Sequence, residues 1–196
     1  MKEPRKRLSL SVLLGVVFVL LAGGFSTTSA QVPWSLKAVA PIEVAISVTD
    51  MDKMLKFYVD VLGLKKFNEA TVPPDMTTRV GQTPFGLRVI RLLTPYGELL
   101  RLIQTGNPPQ PSPPPKFVFE RHGVVYVSFL VTDIDSIVKR LKENGVQLQS
   151  GDAKIEVRPG LFAVYALDPE GNFVEFLEVP DITAYRPDLF KWRQFY

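Results

Sequence analysis

Val44-Ala45-Ile46-Ser47-Val48-Thr49-Asp50-Met51-Asp52 returns 83 positions later as Val127-Ser128-Phe129-Leu130-Val131-Thr132-Asp133-Ile134-Asp135. Both copies alternate along the chain, share Val-Thr-Asp and end on Asp. A period of two marks a strand, and Thr49-Asp50 sits where the cap of a following helix belongs. The similarity continues beyond each copy. A helical pattern over residues 51–62 stops at Gly63, and its counterpart over 134–144 stops at Gly145. A repeat of this length constrains the fold more than any local propensity does.

Working outward, residues 64–67 read as a short strand and 68–86 as a long loop rich in Pro, Gly and Thr. Residues 87–94 and 98–104 read as a hairpin turned at Pro95-Tyr96-Gly97. The second half repeats that hairpin as 161–167 and 172–178 around Asp168-Pro169-Glu170-Gly171. Between the halves lie six prolines in residues 106–115. Such a run lacks ladder donors and favours an extended spacer. The expected organisation is a signal segment 1–30, a first βαβββ module 41–105, a Pro-rich linker 106–116, a second module 117–180 and an aromatic extension 181–196.

The stretch 48–64, Val-Thr-Asp-Met-Asp-Lys-Met-Leu-Lys-Phe-Tyr-Val-Asp-Val-Leu-Gly-Leu, resembles the vicinal oxygen chelate superfamily. So does Leu-Asp-Pro-Glu-Gly-Asn-Phe-Val-Glu-Phe-Leu-Glu at 167–178. That superfamily groups glyoxalases, bleomycin-resistance proteins and extradiol dioxygenases, and the likeness covers roughly residues 41–180. It implies an α+β fold in which two tandem modules form a curved mixed sheet around a cleft. The modules would pair within one chain or exchange between two, which makes a homodimer one expected form.

Members with a metal take one ligand from the first and one from the last strand of each module. Aligned on the repeats, those positions hold Glu43, Tyr126, Arg101 and Glu175, where the resemblance implies His or Gln and then Glu; only Glu175 fits. Arg101 has donors and no lone pair, so it cannot ligate a metal. The favoured reading has no cofactor: Arg101 bridges Glu43 and Glu175 while Tyr126 hydrogen-bonds a carboxylate. The alternative is a hard divalent ion, Mg, Mn or Ca, held by Glu43 and Glu175. The lone histidine, His122, lies about 13 Å along an extended strand from Tyr126 and reads as an exposed residue at the strand entry.

The alternation that turns Glu43 towards the cleft also turns Ala45, Ser47, Ser128 and Leu130 there, with Leu99, Ile103, Phe173 and Leu177 from the last strands. The expected substrate contacts are Arg101, Ser47, Ser128 and Phe173, and the expected catalytic groups Glu43, Glu175, Tyr126 and Arg101. Three functions stay open: a binder of a small, acidic organic molecule; a lyase, isomerase or dioxygenase with Glu43 or Glu175 as base; and an interaction module whose cleft is filled. Serine nucleophile chemistry has no nearby histidine, and Gly81 and Gly86 lack phosphate-loop spacing.

Composition bounds these readings. The chain has 196 residues, no cysteine and a formal charge of +3. Lys2, Arg5, Lys6 and Arg7 against Glu3 hold that entire excess, so the rest is charge-balanced and gives nucleic-acid binding no support. The basic start, an apolar run at 8–21 and Ser26-Thr27-Thr28-Ser29-Ala30 have the layout of a secretory signal peptide cleaved after Ala30. The expected location is periplasmic or secreted, with membrane contact only through that segment if uncleaved. Without cysteine, no disulfide or lipid anchor forms. The tail, with Tyr185, Phe190, Trp192, Phe195 and Tyr196, is aromatic enough to pack on a module or cap a cleft, with a partner-binding surface as the alternative.

Overall fold

The alternation around Val44 and Val127 sends one set of side chains into a core and the other outwards. Strand β1 (Glu43–Ser47) packs Val44 and Ile46 into the core it shares with helix α1, which begins at Met51–Leu55 and continues as π-helical turns over Lys56–Val61. Asp50 caps this helix by accepting from Lys53 N at 3.1 Å, the role expected for a cap aspartate. Strands β2 (Lys65–Val72), β3 (Leu87–Leu93) and β4 (Leu99–Thr105) complete the first half, with helix α2 (Pro74–Arg79) between β2 and β3. The second half runs β5 (Tyr126–Val131), α3 (Ile134–Glu143), β6 (Ile155–Arg158), β7 (Leu161–Leu167), β8 (Phe173–Glu178) and a short α4 (Ile182–Tyr185). The computed structural model describes residues 40–189. The signal segment 1–30 and the aromatic residues Phe190, Trp192, Phe195 and Tyr196 lie outside them.

Each half is a four-stranded mixed sheet, ordered β1-β4-β3-β2 and β5-β8-β7-β6, with the first pair parallel and the others antiparallel. The duplication extends to the register: Glu43 faces Leu99 in one sheet as Tyr126 faces Phe173 in the other. The loop expected over 68–86 is a correction. Strand β2 runs on to Val72, and Pro74 opens α2 with Thr77 buried beneath it. Nearly all of β2 is exposed, so it carries no buried apolar alternation to read, and proline suits the first turn of a helix.

One apolar core joins the halves. Met51, Met54, Phe57, Tyr58 and Val61 of α1 meet Ile134, Val138 and Leu141 of α3, with Ile90 and Leu102 from one sheet and Val164 and Val174 from the other. Polar clamps fix the halves around it. Glu170 accepts from Thr49 N at 2.8 and 3.0 Å and from Asp50 N at 2.6 Å, capping α1 from the other module. Glu170→Ala leaves these N–H groups without their acceptor and is expected to cost about 1–2 kcal/mol. An unchanged urea midpoint would show that the clamp contributes nothing.

The linker is seated as well. Gly171 has φ +81°, and a Cβ there would stand 3.1 Å from Cδ of Pro114. Gly63 has φ +82° with nothing within 4 Å. Both substitutions to Ala are strained by the left-handed backbone, at about 1 kcal/mol, but only Gly171→Ala also displaces the linker. Gly171→Ala is therefore expected to lower the melting temperature more than Gly63→Ala; equal shifts would contradict the linker contact.

Candidate ligand-binding faces

Because Val44 and Ile46 point to the core, Glu43, Ala45 and Ser47 stand on the outer face of the first sheet. Register then lines up Ala45, Arg101, Arg91 and Asn68 in one row across β1, β4, β3 and β2. Arg101 donates to Oε2 of Glu43 through Nε and pairs with it through NH2. Arg91 Nε lies 3.7 Å from the same oxygen, and its NH1 donates to Asn68 Oδ1 at 3.1 Å. Two guanidinium groups thus share one carboxylate and leave a net positive charge. The side chains of Arg91, Arg101 and Glu43 are 27%, 37% and 30% exposed. Exposed ion pairs contribute about 0–1 kcal/mol, so a ligand can displace Glu43 at little cost.

The second sheet repeats the geometry with other chemistry. Ser128, Glu175 and Tyr165 form its corresponding row. Tyr165 donates its hydroxyl to Oε1 of Glu175. Burial, then the Glu175 carboxylate, holds the Tyr165 phenol well above its ordinary pKa, so it remains a donor. The Tyr165 ring meets Tyr126 edge-to-face at 5.6 Å, and Phe119 meets Tyr126 at 6.2 Å. Arg121 lies over the Phe173 ring at 5.5 Å, and its buried Nε has no hydrogen-bond partner.

These positions correct four expectations. Arg101 does not bridge the two carboxylates: its ion pair is with Glu43, and Glu175 is held by Tyr165. Each sheet turns the face bearing its carboxylate away from the shared core, so the two rows do not converge across it. The hydroxyl on a carboxylate belongs to Tyr165 rather than Tyr126. Leu177, expected to line a pocket, is buried with Leu161, Ala163 and Val179 beneath Ile182 and Tyr185 of the C-terminal extension. Phe173 is likewise buried, 1% exposed, under the Arg121 segment.

Apart from the covered Phe173 and Leu177, the outer faces are open: Glu43, Ala45, Ser47, Ser128 and Leu130 are all exposed, while Leu99 and Ile103 are half-buried. His122 is exposed as expected. A cavity of about 560 Å³ lies elsewhere, between Pro111–Pro114 of the linker, Asn144–Gln147 and Leu167–Gly171. Arg91, Asn68, Tyr165 and Arg121 escaped the sequence reading. Arg91 had a usable signal, since it lies on the hairpin partner of the strand bearing Arg101; Arg121 lies outside any strand and had none.

The donor set does not suit a metal. A guanidinium occupies one ligand position, the Glu43 carboxylate is engaged by it, and Glu175 accepts from Tyr165. Among the described residues, no group of three or more His, Cys, Asp or Glu gathers.

A family model described as the Glyoxalase/Bleomycin resistance protein/Dioxygenase superfamily matches residues 41–176. Comparison with curated proteins gives no match. Among solved structures, the chain is similar to a glyoxalase family protein from Bacillus cereus: 23% identity and a TM-score of 0.62, over 74% of this chain and 96% of that one. It is also similar to a glyoxalase/dioxygenase from Nostoc punctiforme, at 25% identity and a TM-score of 0.54, over 80% of this chain and 100% of that one. A trypanothione-dependent glyoxalase I from Leishmania major shares 19% identity with a TM-score of 0.50, over 78% of this chain and 94% of that one. These likenesses are of fold.

Proposed function

We propose, for a chain that belongs to the Glyoxalase/Bleomycin resistance protein/Dioxygenase superfamily, that it binds a small acidic organic molecule without a divalent metal. The observation that carries this reading is the pairing of Arg91 and Arg101, directly opposed in register around the single carboxylate of Glu43. The planar fork of a guanidinium matches a carboxylate or phosphate in two parallel hydrogen bonds. An incoming anion takes the place of Glu43 or docks beside it against the second guanidinium, and Ser47 on the same face offers a hydroxyl. Both Glu43 and Glu175 already accept a hydrogen bond, which favours binding over proton abstraction.

The basic and apolar leader over residues 1–30 supports export to the periplasm or beyond, where a cysteine-free chain meets no redox hazard. The exposed sheet faces, with Leu130 39% exposed, support a homodimer in which a second copy covers them. Elemental analysis of the purified mature protein, with a thermal-shift screen of divalent ions and small carboxylates, tests the reading. Stabilisation by carboxylates in the presence of a chelator is the expected result. Stoichiometric metal, or stabilisation by a divalent ion alone, would overturn it.

A further inference from the structure

Glu175 and Arg121 stand on one face of the second sheet with their charges unmatched. Glu175 accepts from a tyrosine, and among the described residues no cation pairs with it. Arg121 has no acidic partner among those residues, and its buried Nε lacks any hydrogen bond. Arg121 as a whole is half-buried, so an anion that reaches its terminal nitrogens supplies the missing partner charge. Stacking of Arg121 on Phe173 occupies the flat of the guanidinium and leaves its edge donors free. Residues two apart on a strand share a face, so Phe173, over which Arg121 stacks, lies on the same face as Glu175, and Tyr126 sits beside Phe173 in register. Tyr126, Tyr165 and Phe119 add apolar ring surface, suited both to an organic cation and to an apolar side chain.

The geometry points to a second ligand site on this face, for a small zwitterion of the α-amino-acid class. Its ammonium pairs with Glu175 against the tyrosine rings, its carboxylate takes the free edge of Arg121, and its side chain lies on the aromatic surface. Neither charge alone satisfies the face, which separates this site from the arginine pair of the first sheet.

Calorimetric titration of the mature protein carrying Arg101→Ala, which removes the carboxylate contact of the first sheet, with L-phenylalanine, phenethylamine and 3-phenylpropanoate tests it. L-phenylalanine should bind saturably, and each analogue lacking one charge should bind about tenfold or more weakly, as the loss of one charged hydrogen bond implies. Glu175→Gln should abolish the preference for L-phenylalanine over 3-phenylpropanoate, and Arg121→Gln its preference over phenethylamine. Because the carboxylate contact of the first sheet is already removed in this background, the result is distinguishable from failure of the acidic site. Failure of L-phenylalanine to bind, equal binding of the three probes, or ratios unaltered by both further variants would overturn the proposal; the three-probe comparison in the Arg101→Ala background stands even if a further variant fails to fold.

Discussion

Asp168→Ala is expected to destabilise the protein by about 3 kcal/mol, the largest effect of any single polar truncation among the described residues. Asp168 is 4% exposed and organises its own turn, accepting from Glu170 N at 3.0 Å, Asn172 N at 2.9 Å and Asn172 Nδ2. It also accepts from the hydroxyl of Tyr58 at 3.1 Å, and Tyr58 is fully buried in the other module. The substitution therefore loosens a turn and leaves a buried hydroxyl without a partner between the halves. Tyr58→Phe removes only one of several donors to the carboxylate and should cost about 1 kcal/mol. Urea unfolding distinguishes these values; a loss below half a kilocalorie for Asp168→Ala would show that the halves do not depend on this contact.

The same residue predicts a pH dependence. Burial pushes the Asp168 carboxyl above its ordinary pKa, against the pull of its hydrogen bonds. The folded state thus takes up this proton at higher pH than the unfolded chain does. Its linkage contribution is fully present below the unfolded pKa and is lost as pH rises through the raised folded value. The stability of wild type relative to Asp168→Asn should therefore improve on acidification, the reverse of a salt-bridged carboxylate. A difference independent of pH would contradict the raised pKa.

Arg101→Ala is expected to weaken binding of a small carboxylate by about a hundredfold, the loss of a bidentate charged contact. Arg91→Ala should weaken it by about tenfold, since Arg91 lies farther from the shared oxygen. Neither change should lower stability by more than about 1 kcal/mol, because the ion pair is partly exposed. Affinity and stability thus move independently, which separates a binding role from a structural one.

The repeat beginning at Val44 and Val127 was enough to read two modules, their helices and their hairpins, because a period of two and a capped helix are local signals. Aligning the repeats also brought Arg101 and Glu175 to equivalent positions, and Glu43 to the side of Arg101. What the sequence did not carry was the direction each sheet faces. That depends on how α1 and α3 pack into one core, through long-range contacts such as Tyr58 with Asp168. Hence Arg101 was assigned two carboxylates and holds one. Likewise Tyr126 was given a bond that Tyr165 makes, because the β7–β8 register that sets Tyr165 opposite Glu175 is non-local. The exposed length of β2 and the α2 helix were missed because neither presents an apolar stripe.

The most direct test of the arginine-based, metal-independent site is a calorimetric titration of wild type and Arg101→Ala with the best carboxylate from the screen, in the presence of EDTA. Saturable binding by wild type that is lost in Arg101→Ala, with both proteins folded, is the predicted result. Equal affinity in the two proteins, or binding by wild type that EDTA abolishes, would contradict it.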